Sequence, residues 1–392
     1  MDEQPRSVPS RTIAFLAAAS FASAASVRAC DPILPQIAAS FTTSVGAAAR
    51  VVTVFGVTYA CMQLVYGLLA DRFGKLETIA VTTLASAATA AFCAFAGSLD
   101  LLIFARLLAG GTAAAIIPLS IAWIGDEVDY AARQPVIARF LTGQILGLIL
   151  GQAMSGIVAE YLGWRTMFLF LAGFFLVSGA ALSRELWLRR ERAVPVPVPI
   201  RQTLIQLGML IRHRWVLTVL GSAFIEGAAL FGGYSFVGAD LRARFGLSFD
   251  LIGVIVGAFG IGGLIYAAAA PVLVRRLGER GLALAGGCVL FAAFVAIGFV
   301  PRALVAAPFT ISAGLGFYML HNTLQTNATQ MAPESRSLSI ALFAICFFLG
   351  QAVGVSLGAP VFDYAGGAPL FLTSGLILMV LAFAFRLALG RR

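Results

Sequence analysis

The chain has 392 residues, of which 60% are hydrophobic and only 11% are charged. A soluble domain carries roughly 25% charged residues, so this composition excludes an ordinary soluble domain. The formal net charge of +9 does not indicate nucleic-acid binding, because the arginines are spread over many short breaks and form no basic, base-stacking surface. The apolar excess indicates a protein that exposes much of its surface to lipid.

The apolar residues fall into stretches of membrane-crossing length. A helix of about 20 apolar residues spans the bilayer core, and we predict an all-α membrane protein with twelve transmembrane helices. No stretch is left for a soluble catalytic domain, so we predict that the chain is not an enzyme. The predicted spans cover approximately residues 12–37, 45–70, 77–97, 101–123, 136–160, 166–187, 215–240, 250–274, 281–300, 303–329, 338–362 and 367–389.

The basic residues predict the orientation, because positive charge accumulates in cytoplasmic loops. Most arginines and the only lysine, Lys75, lie at the termini or in breaks after even-numbered spans. We therefore predict a bacterial plasma-membrane protein with both termini in the cytoplasm. A cleaved signal peptide is the alternative for the N-terminus, where Arg6 and Arg11 precede an apolar run. The opposite breaks hold Arg50, Arg165, Arg242, Arg244 and Arg302.

Span 1 carries a cation and an acid within the apolar stretch. Arg28 and Asp31 are three residues apart, which puts them on one face of a helix. A buried carboxylate beside a cation can take up and release a proton. A local ion pair at the outer end of the helix is the other interpretation, and the sequence leaves both open.

The break after span 2 reads GLLADRFGK at residues 67–75. This run resembles the G-x-L-a-D-r-x-G-r-k motif of the major facilitator superfamily of transporters. A degenerate copy, PVLVRRLGERG, follows span 8 and lacks the acidic residue of the first copy. The resemblance implies a gate that latches one half of the protein to the other, and the alternative is a charged turn that only satisfies topology. The gating residues would be Gly67, Asp71, Arg72, Gly74 and Lys75.

Spans 1 and 4 resemble the superfamily in further motifs. Asp31 begins DPILPQIA, which is similar to the D-x-x-L-P-x-I-A motif of its drug and metabolite exporters. Arg106 precedes a pair of glycines and resembles the R-x-x-x-G motif of span 4. The resemblance implies that Arg106 is a buried cation at the substrate site. The alternative is that its side chain reaches back to the outer interface.

Span 5 carries small residues at every fourth position. Gly143, Gly147 and Gly151 resemble the antiporter motif g-x-x-x-G-P-x-x-G-G in their spacing. The chain departs from that motif at Gln152, where the motif has proline. The run GWRTMF at residues 163–168 matches the usual G-W-R-x-x-F that leads into span 6.

Two halves of the chain are related by a repeat. The run LGQA occurs at residues 150–153 and again at residues 349–352, and Gly350 and Gly354 continue a matching stripe of small residues. Such a stripe lets helices approach closely in lipid. The resemblance to the superfamily implies that the stripe of Gly143, Gly147 and Gly151 packs half against half. The predicted domains are a six-helix bundle over 1–188, a Pro-rich cytoplasmic linker over 189–213 and a second six-helix bundle over 214–392.

Spans 7 and 10 place polar groups in the membrane. Glu226 lies about eleven residues into span 7, and an acid at this depth indicates a functional site. The alternative is a protonated acid that is hydrogen-bonded between helices. His321, which lies at the edge of a polar face, can couple protons because histidine titrates near neutral pH, although a buried neutral histidine fits equally well. That face of span 10 holds Tyr318, Asn322, Gln325 and Thr329.

The resemblance implies the major facilitator fold, in which two six-helix bundles rock about a site lined by spans 1, 4, 7 and 10. The main hypothesis is secondary active transport by alternating access, with proton-coupled export of a drug or metabolite. A proton-coupled importer or facilitator of an anionic or polar metabolite is the alternative, and Arg28 and Arg106 motivate it. A non-transporting membrane receptor is a third.

The predicted site combines proton coupling and substrate binding. The proton-coupling groups are Asp31, Glu226 and His321. We expect a monomer in the lipid bilayer that binds a small-molecule substrate and protons. No metal or cofactor is expected, because the five cysteines lie in apolar spans without CxxC spacing. The predicted substrate-binding residues are Arg28, Arg106, Glu226, Tyr318, His321, Asn322 and Gln325.

Overall fold

The computed structural model of the protein describes residues 10–189, 208–210, 212–331 and 336–391, and within these residues all long elements are α-helices. The alternating prolines and most of the predicted linker lie outside the described residues. The helices are α1 (Ser10–Arg28), α2 (Leu34–Ser40), α3 (Val45–Phe73), α4 (Lys75–Ala94), α5 (Leu99–Ala113), α6 (Ile116–Glu127), α7 (Tyr130–Leu162), α8 (Trp164–Arg189), α9 (Arg214–Tyr234), α10 (Val237–Phe245), α11 (Phe249–Gly257), α12 (Phe259–Phe299), α13 (Ala306–Gln330), α14 (Arg336–Ala365) and α15 (Gly367–Gly390).

The described residues contain 11 helical segments that are long and apolar enough to cross a membrane. The prediction was twelve, and the difference lies in Phe249–Phe299, a run of 51 residues that covers predicted spans 8 and 9. A straight helix of that length would measure about 75 Å, more than twice the bilayer core. Gly278 interrupts the run with φ 60° and ψ 177°, a backbone conformation that essentially only glycine adopts. The exact number of spans therefore stays a prediction.

Four predicted spans consist of two helices with a short break between them, and one of these is span 8, where α11 is followed by α12. Span 1 is α1 followed by α2, because Pro32 and Pro35 lack the backbone N–H that a continuous helix needs. Span 4 is α5 followed by α6, and span 7 is α9 followed by α10. In span 1, the break brings Arg28 to the end of α1 and places Asp31 in the first turn after it.

Glycines with positive φ end helices at both ends of the molecule. We call the end that holds Gly163 and Gly366 the outer end, and the end that holds Gly74 and Gly278 the inner end, after the orientation that the arginines predict. At Gly163, which has φ 82°, α7 ends and α8 begins at the next residue. These turns return the chain across the membrane with almost no loop.

The stripe of Gly143, Gly147 and Gly151 packs α7 on α1. A methyl group on Gly147 would meet the backbone of Phe21 in α1, and the other two glycines lie as close to the same helix. The prediction that this stripe packs half against half is therefore wrong. The four-residue spacing predicted a close helix contact but could not identify the partner helix.

The corresponding stripe in α14 packs on α9. Backbone atoms of Phe224 and Ala228 lie where methyl groups on Gly350 and Gly354 would be. The first stripe therefore seats the helix that ends at Arg28, and the second seats the helix that carries Glu226. Below, α1–α8 are called the N-terminal helices and α9–α15 the C-terminal helices.

Helices of the two sets meet mainly along two seams. The first seam joins α3 to α14, and the second joins α7 to α11. Gly156 and Gly253 bring the backbones of the second seam into direct contact. Hydrogen bonds between the two sets include those of Arg28 with Gln351, Gly46 with Asp363, Glu160 with Phe249 and Thr53 with Ser356. They lie between the level of Arg28 and the outer end, so the two sets are held together there.

Candidate substrate and proton site

The first buried ion pair lies at the break between α1 and α2. Arg28 and Asp31 are only 3% and 1% exposed, and an Arg28 Nη1 to Asp31 Oδ2 distance of 3.5 Å joins them. The other terminal nitrogen of Arg28 donates to Gln351 Oε1 at 2.7 Å. The guanidinium also lies over the ring of Phe231, 3.3 Å from its centroid. Arg28 therefore connects α1 with α14 and α9.

The Asp31 carboxylate also meets the end of α9. Asp31 Oδ1 is buried, and the side chain of Ser235 at the end of α9 interacts with this carboxylate. Losing either partner of a buried ion pair leaves an uncompensated charge, which is strongly unfavourable. This pair is therefore expected to stay paired while its surroundings are closed.

The second buried pair joins α9 to α13. Glu226 is fully buried, and its Oε2 lies 2.8 Å from Nδ1 of His321. The sequence places these residues 95 positions apart and predicts each of them separately. The tautomer of a histidine is an assignment, so either member of the pair can hold the proton in this contact. Glu226 Oε1 is buried and has no hydrogen-bond partner among the described residues.

Aromatic rings enclose the second pair. The imidazole of His321 lies 4.7 Å from the ring centroids of Phe317 and Phe347 and 5.3 Å from that of Phe343. A charge in such apolar surroundings is costly unless it is paired. The pair can gain or lose one proton, and each change alters its net charge inside this cage.

Arg106 is fully buried, and its three guanidinium nitrogens all face protein atoms. Its Nε donates to the Val51 carbonyl at 3.3 Å, and one terminal nitrogen donates to the Ser26 carbonyl at 3.2 Å. The guanidinium also lies 4.0 Å from the ring centroid of Phe55. This geometry argues against substrate contact by Arg106, and it also excludes a side chain that reaches the outer interface. Arg106 instead ties α5 to α1 and α3.

The predicted polar face of α13 is only partly buried. Tyr318 and Asn322 are half-buried, and Gln325 is exposed. Tyr318 packs edge-on against Phe317, with ring centroids 5.0 Å apart, and it also lies against Gly263 of α12. The structure thus brings His321 to Glu226, whereas Asn322 and Gln325 lie further along the helix toward the inner end.

The predicted gate lies at the inner end, where α3 ends at Phe73 and α4 begins at Lys75. Gly74 connects them with φ 95°. Lys75 forms an ion pair with Asp126 of α6, so this contact stays within the N-terminal helices. Gly67 has no neighbour within 4 Å of where a methyl group would be. The role of these residues as a latch between the halves stays a prediction.

Comparison with known proteins identifies the family. The model of the Major Facilitator Superfamily matches residues 16–355. The chain belongs to this superfamily. It is 25% identical over 336 residues to the multi-drug resistance efflux pump PmrA of Streptococcus pneumoniae, which covers 83% of this chain and 82% of that protein. It is 21% identical over 364 residues to an uncharacterized MFS-type transporter, YwfA, of Bacillus subtilis, with 90% and 87% covered. A third match, to the uncharacterized MFS-type transporter YybF of the same organism, covers only 38% of that relative.

Solved structures of transporters share the fold. The nucleoside transporter NupG has a TM-score of 0.78 at 14% identity, covering 95% of this chain and 98% of that one. A bacterial homologue of the lysosomal transporter Spinster, solved in an inward-facing conformation, has a TM-score of 0.76 at 16% identity, with 97% of both chains covered. The predicted all-α membrane fold of the major facilitator type is thereby confirmed. The protein is a multi-pass membrane transporter and not an enzyme, as predicted.

Sequence reasoning missed several residues of this transporter that join the two sets of helices, among them Gln351, Glu160 and Asp363. Gln351 was noted only as part of the LGQA repeat, although it binds Arg28 across the molecule. Glu160 and Asp363 each lie at the exposed end of an apolar span, where an acid needs no explanation, so the sequence alone does not single them out. Both acids lie three residues before a helix-ending glycine, Gly163 or Gly366, and this shared position is the sequence feature that could have identified them.

Proposed function

We propose that this superfamily member is a proton-coupled secondary transporter that exports a small organic solute by alternating access. The contact between Glu226 and His321 carries the proposal, because two side chains that can each bind a proton lie 2.8 Å apart inside an aromatic cage. An intramembrane acid with a titratable partner is typical of proton relays in transporters. The likeness to a multi-drug resistance efflux pump supports the direction of transport.

The two ion pairs are assigned different roles in this mechanism. His321 and Glu226 take up and release the transported proton, since one proton changes the charge of their pair. Asp31 is the second coupling acid, and Arg28 transmits its state to α14 through Gln351. The substrate binds beside these pairs, along the part of α13 that carries Tyr318, Asn322 and Gln325.

In this mechanism the inner end opens to load substrate while the outer end is closed. The contacts between the two sets of helices near the outer end support this assignment. Release then requires the seams between α3 and α14 and between α7 and α11 to separate. The predicted orientation assigns the inner end to the cytoplasm, so loading there corresponds to export.

The test is proton release on ligand binding. Purified protein in weakly buffered detergent solution receives ethidium as an amphipathic cation probe, and a pH-sensitive dye reports released protons. We expect release from the wild type, no release from Glu226→Gln, and unchanged release from Asp100→Asn, a control at an acid that is 90% exposed. If both Glu226→Gln and Asp31→Asn keep full proton-coupled transport in proteoliposomes, the assignment of these two acids to proton coupling is wrong.

Import or facilitated transport of an anionic or polar metabolite is the second candidate. It depends on Arg28 as the cation for the substrate, because the nitrogens of Arg106 are bound to Ser26 and Val51. Gln152, which stands in place of the antiporter proline, also favours it. Counterflow of labelled carboxylates in proteoliposomes would support this candidate if Arg28→Gln abolishes it. The absence of carboxylate counterflow in the wild type would exclude it.

A further inference from the structure

Helices α7 and α14 end in the same pattern at the outer end. The last residues of α7 and the following glycine read EYLG at 160–163, and those of α14 read DYAG at 363–366. Both glycines have positive φ, 82° at Gly163 and 76° at Gly366, and each ends its helix. The acids Glu160 and Asp363 therefore occupy the same position relative to the helix end in the two related halves.

Each acid reaches a helix of the other set. Glu160 Oε2 accepts a hydrogen bond from the backbone N–H of Phe249 at 2.7 Å, and Asp363 Oδ1 accepts one from Gly46 at 2.9 Å. Both donors belong to the first turn of a helix, which Ser248 precedes in α11 and Ser44 in α3. First-turn N–H groups lack a partner within their helix, and the helix dipole favours a carboxylate there. The two acids thus cap helices across the molecule.

Both caps lie where the backbones of the two sets touch. A methyl group on Gly46 would meet Asp363 and, at 2.8 Å, the carbonyl of Ala359. A methyl group on Gly253 would lie 2.9 Å from the Cα of Gly156, one turn from Glu160. A hydrogen bond of less than 3 Å cannot survive separation of these seams. Each cap therefore exists only while the outer end is closed.

We propose that Glu160 and Asp363 form a two-part latch that holds the outer end of the transporter closed, one part on each seam. Both side chains are exposed, so water replaces the lost N–H contacts when the seams separate. The latch can therefore open without leaving a buried charge. The latch stabilises the outer-closed conformation whichever substrate or coupling ion is transported. This proposal therefore does not depend on proton coupling.

Each part of the latch depends on a carboxylate oxygen that accepts a hydrogen bond, so the variants either remove this acceptor or keep it without its charge. Alanine at position 160 or 363 removes the acceptor. Glu160→Gln and Asp363→Asn keep an acceptor oxygen and lose the charge, and asparagine is about as good a helix cap as aspartate. Asp100→Ala is the matched control, because this outer acid pairs with Arg50 inside the N-terminal helices at 3.4 Å.

The experiment measures the distance between the two sets at each end by double electron–electron resonance. Spin labels at Gly97→Cys and Arg302→Cys report the outer end, and labels at Asp129→Cys and Glu279→Cys report the inner end. The background replaces Cys61, Cys288 and Cys346 by alanine, because these three free thiols are not buried. Labelled protein is measured without substrate in detergent and in nanodiscs.

We expect each alanine variant to raise the ratio of outer-open to outer-closed protein roughly five-fold, and the double variant about 25-fold if the distant sites add. The inner distance should shorten in the same samples, and the Gln and Asn variants should shift less than the alanine variants. A double variant with the wild-type distribution, or an equal shift in Asp100→Ala, would overturn the proposal. If the double alanine variant does not fold, the Glu160→Gln, Asp363→Asn and single alanine variants provide the same ranking.

Discussion

The two buried ion pairs differ in what a proton can do to them. Arg28 keeps its proton under all physiological conditions, so its pair with Asp31 can change charge only at the acid. In the pair of Glu226 and His321, both side chains are of a type that can bind or release a proton. The first pair joins three helices, α1, α9 and α14, through Arg28, whereas the second joins two helices inside an aromatic cage.

This difference separates a mainly structural pair, in which Asp31 is only the second coupling acid, from a pair whose main function is to switch. Arg28 is a permanent cation whose contacts hold three helices in one arrangement. Removing Arg28 leaves the Asp31 carboxylate in apolar surroundings without its cation. A pair of two titratable groups can pass a proton without losing its hydrogen bond. We therefore expect substitutions in the first pair to affect stability most and substitutions in the second pair to affect coupling most.

The largest effect is expected for Arg28→Met. This change leaves Asp31 buried without its cation, which costs about 3 kcal/mol in the free energy of unfolding. Chemical unfolding in detergent, followed by tryptophan fluorescence, measures it. The matched control is Arg50→Met, which removes an exposed pair and costs less than about 1 kcal/mol. Equal destabilisation by both variants would contradict the structural role of Arg28.

The second effect concerns coupling without loss of the fold. His321→Gln keeps a side chain that can hydrogen-bond to Glu226 but cannot be protonated near neutral pH. We expect proton-driven transport to fall to the level of empty liposomes, while exchange of labelled substrate without a pH gradient continues. Parallel assays in one proteoliposome preparation compare the two rates. Retention of pH-driven transport would show that the pair is not the coupling site.

Smaller losses of stability and coupling are expected from substitutions in the glycine stripes, which pack against the helices of the two ion pairs. Gly151→Val pushes α7 away from α1, which ends at Arg28 of the first pair, and Gly350→Val pushes α14 away from α9, which carries Glu226. Overpacking of this kind costs about 1–3 kcal/mol. We expect Gly350→Val to impair proton coupling more than Gly151→Val at equal loss of stability. Gly221→Val is the control, because no atom lies within 4 Å of its added methyl group.

The smallest effect on stability is expected at the inner end. Lys75→Ala removes the ion pair with Asp126, which lies at the surface and away from both buried pairs. Such pairs contribute about 0–1 kcal/mol. Thermal unfolding should therefore change little. A large loss of stability would mean that this end of the N-terminal helices carries more of the fold than the exposed pair indicates.

Several features of this transporter could be predicted from single stretches of sequence. Glu226 and Asp31 were identified because an acid inside an apolar stretch of 20 residues is costly and needs a reason. The stripe at Gly143, Gly147 and Gly151 predicted a close helix contact for a similar local reason. Its partner helix was assigned wrongly, because a stripe specifies a face and not the neighbour that it meets.

The sequence by itself determined the membrane-spanning helices and the superfamily. Helix length and apolar content are local properties that the bilayer imposes on each span separately, and a short motif such as GLLADRFGK lies within one stretch of sequence. Only the tertiary structure decided which buried groups meet: His321 with Glu226, Gln351 with Arg28, and Arg106 with backbone carbonyls of α1 and α3. The physical reason is that helix packing in lipid brings together side chains distant in sequence, and a hydrogen bond depends on tenths of an ångström that no spacing rule provides.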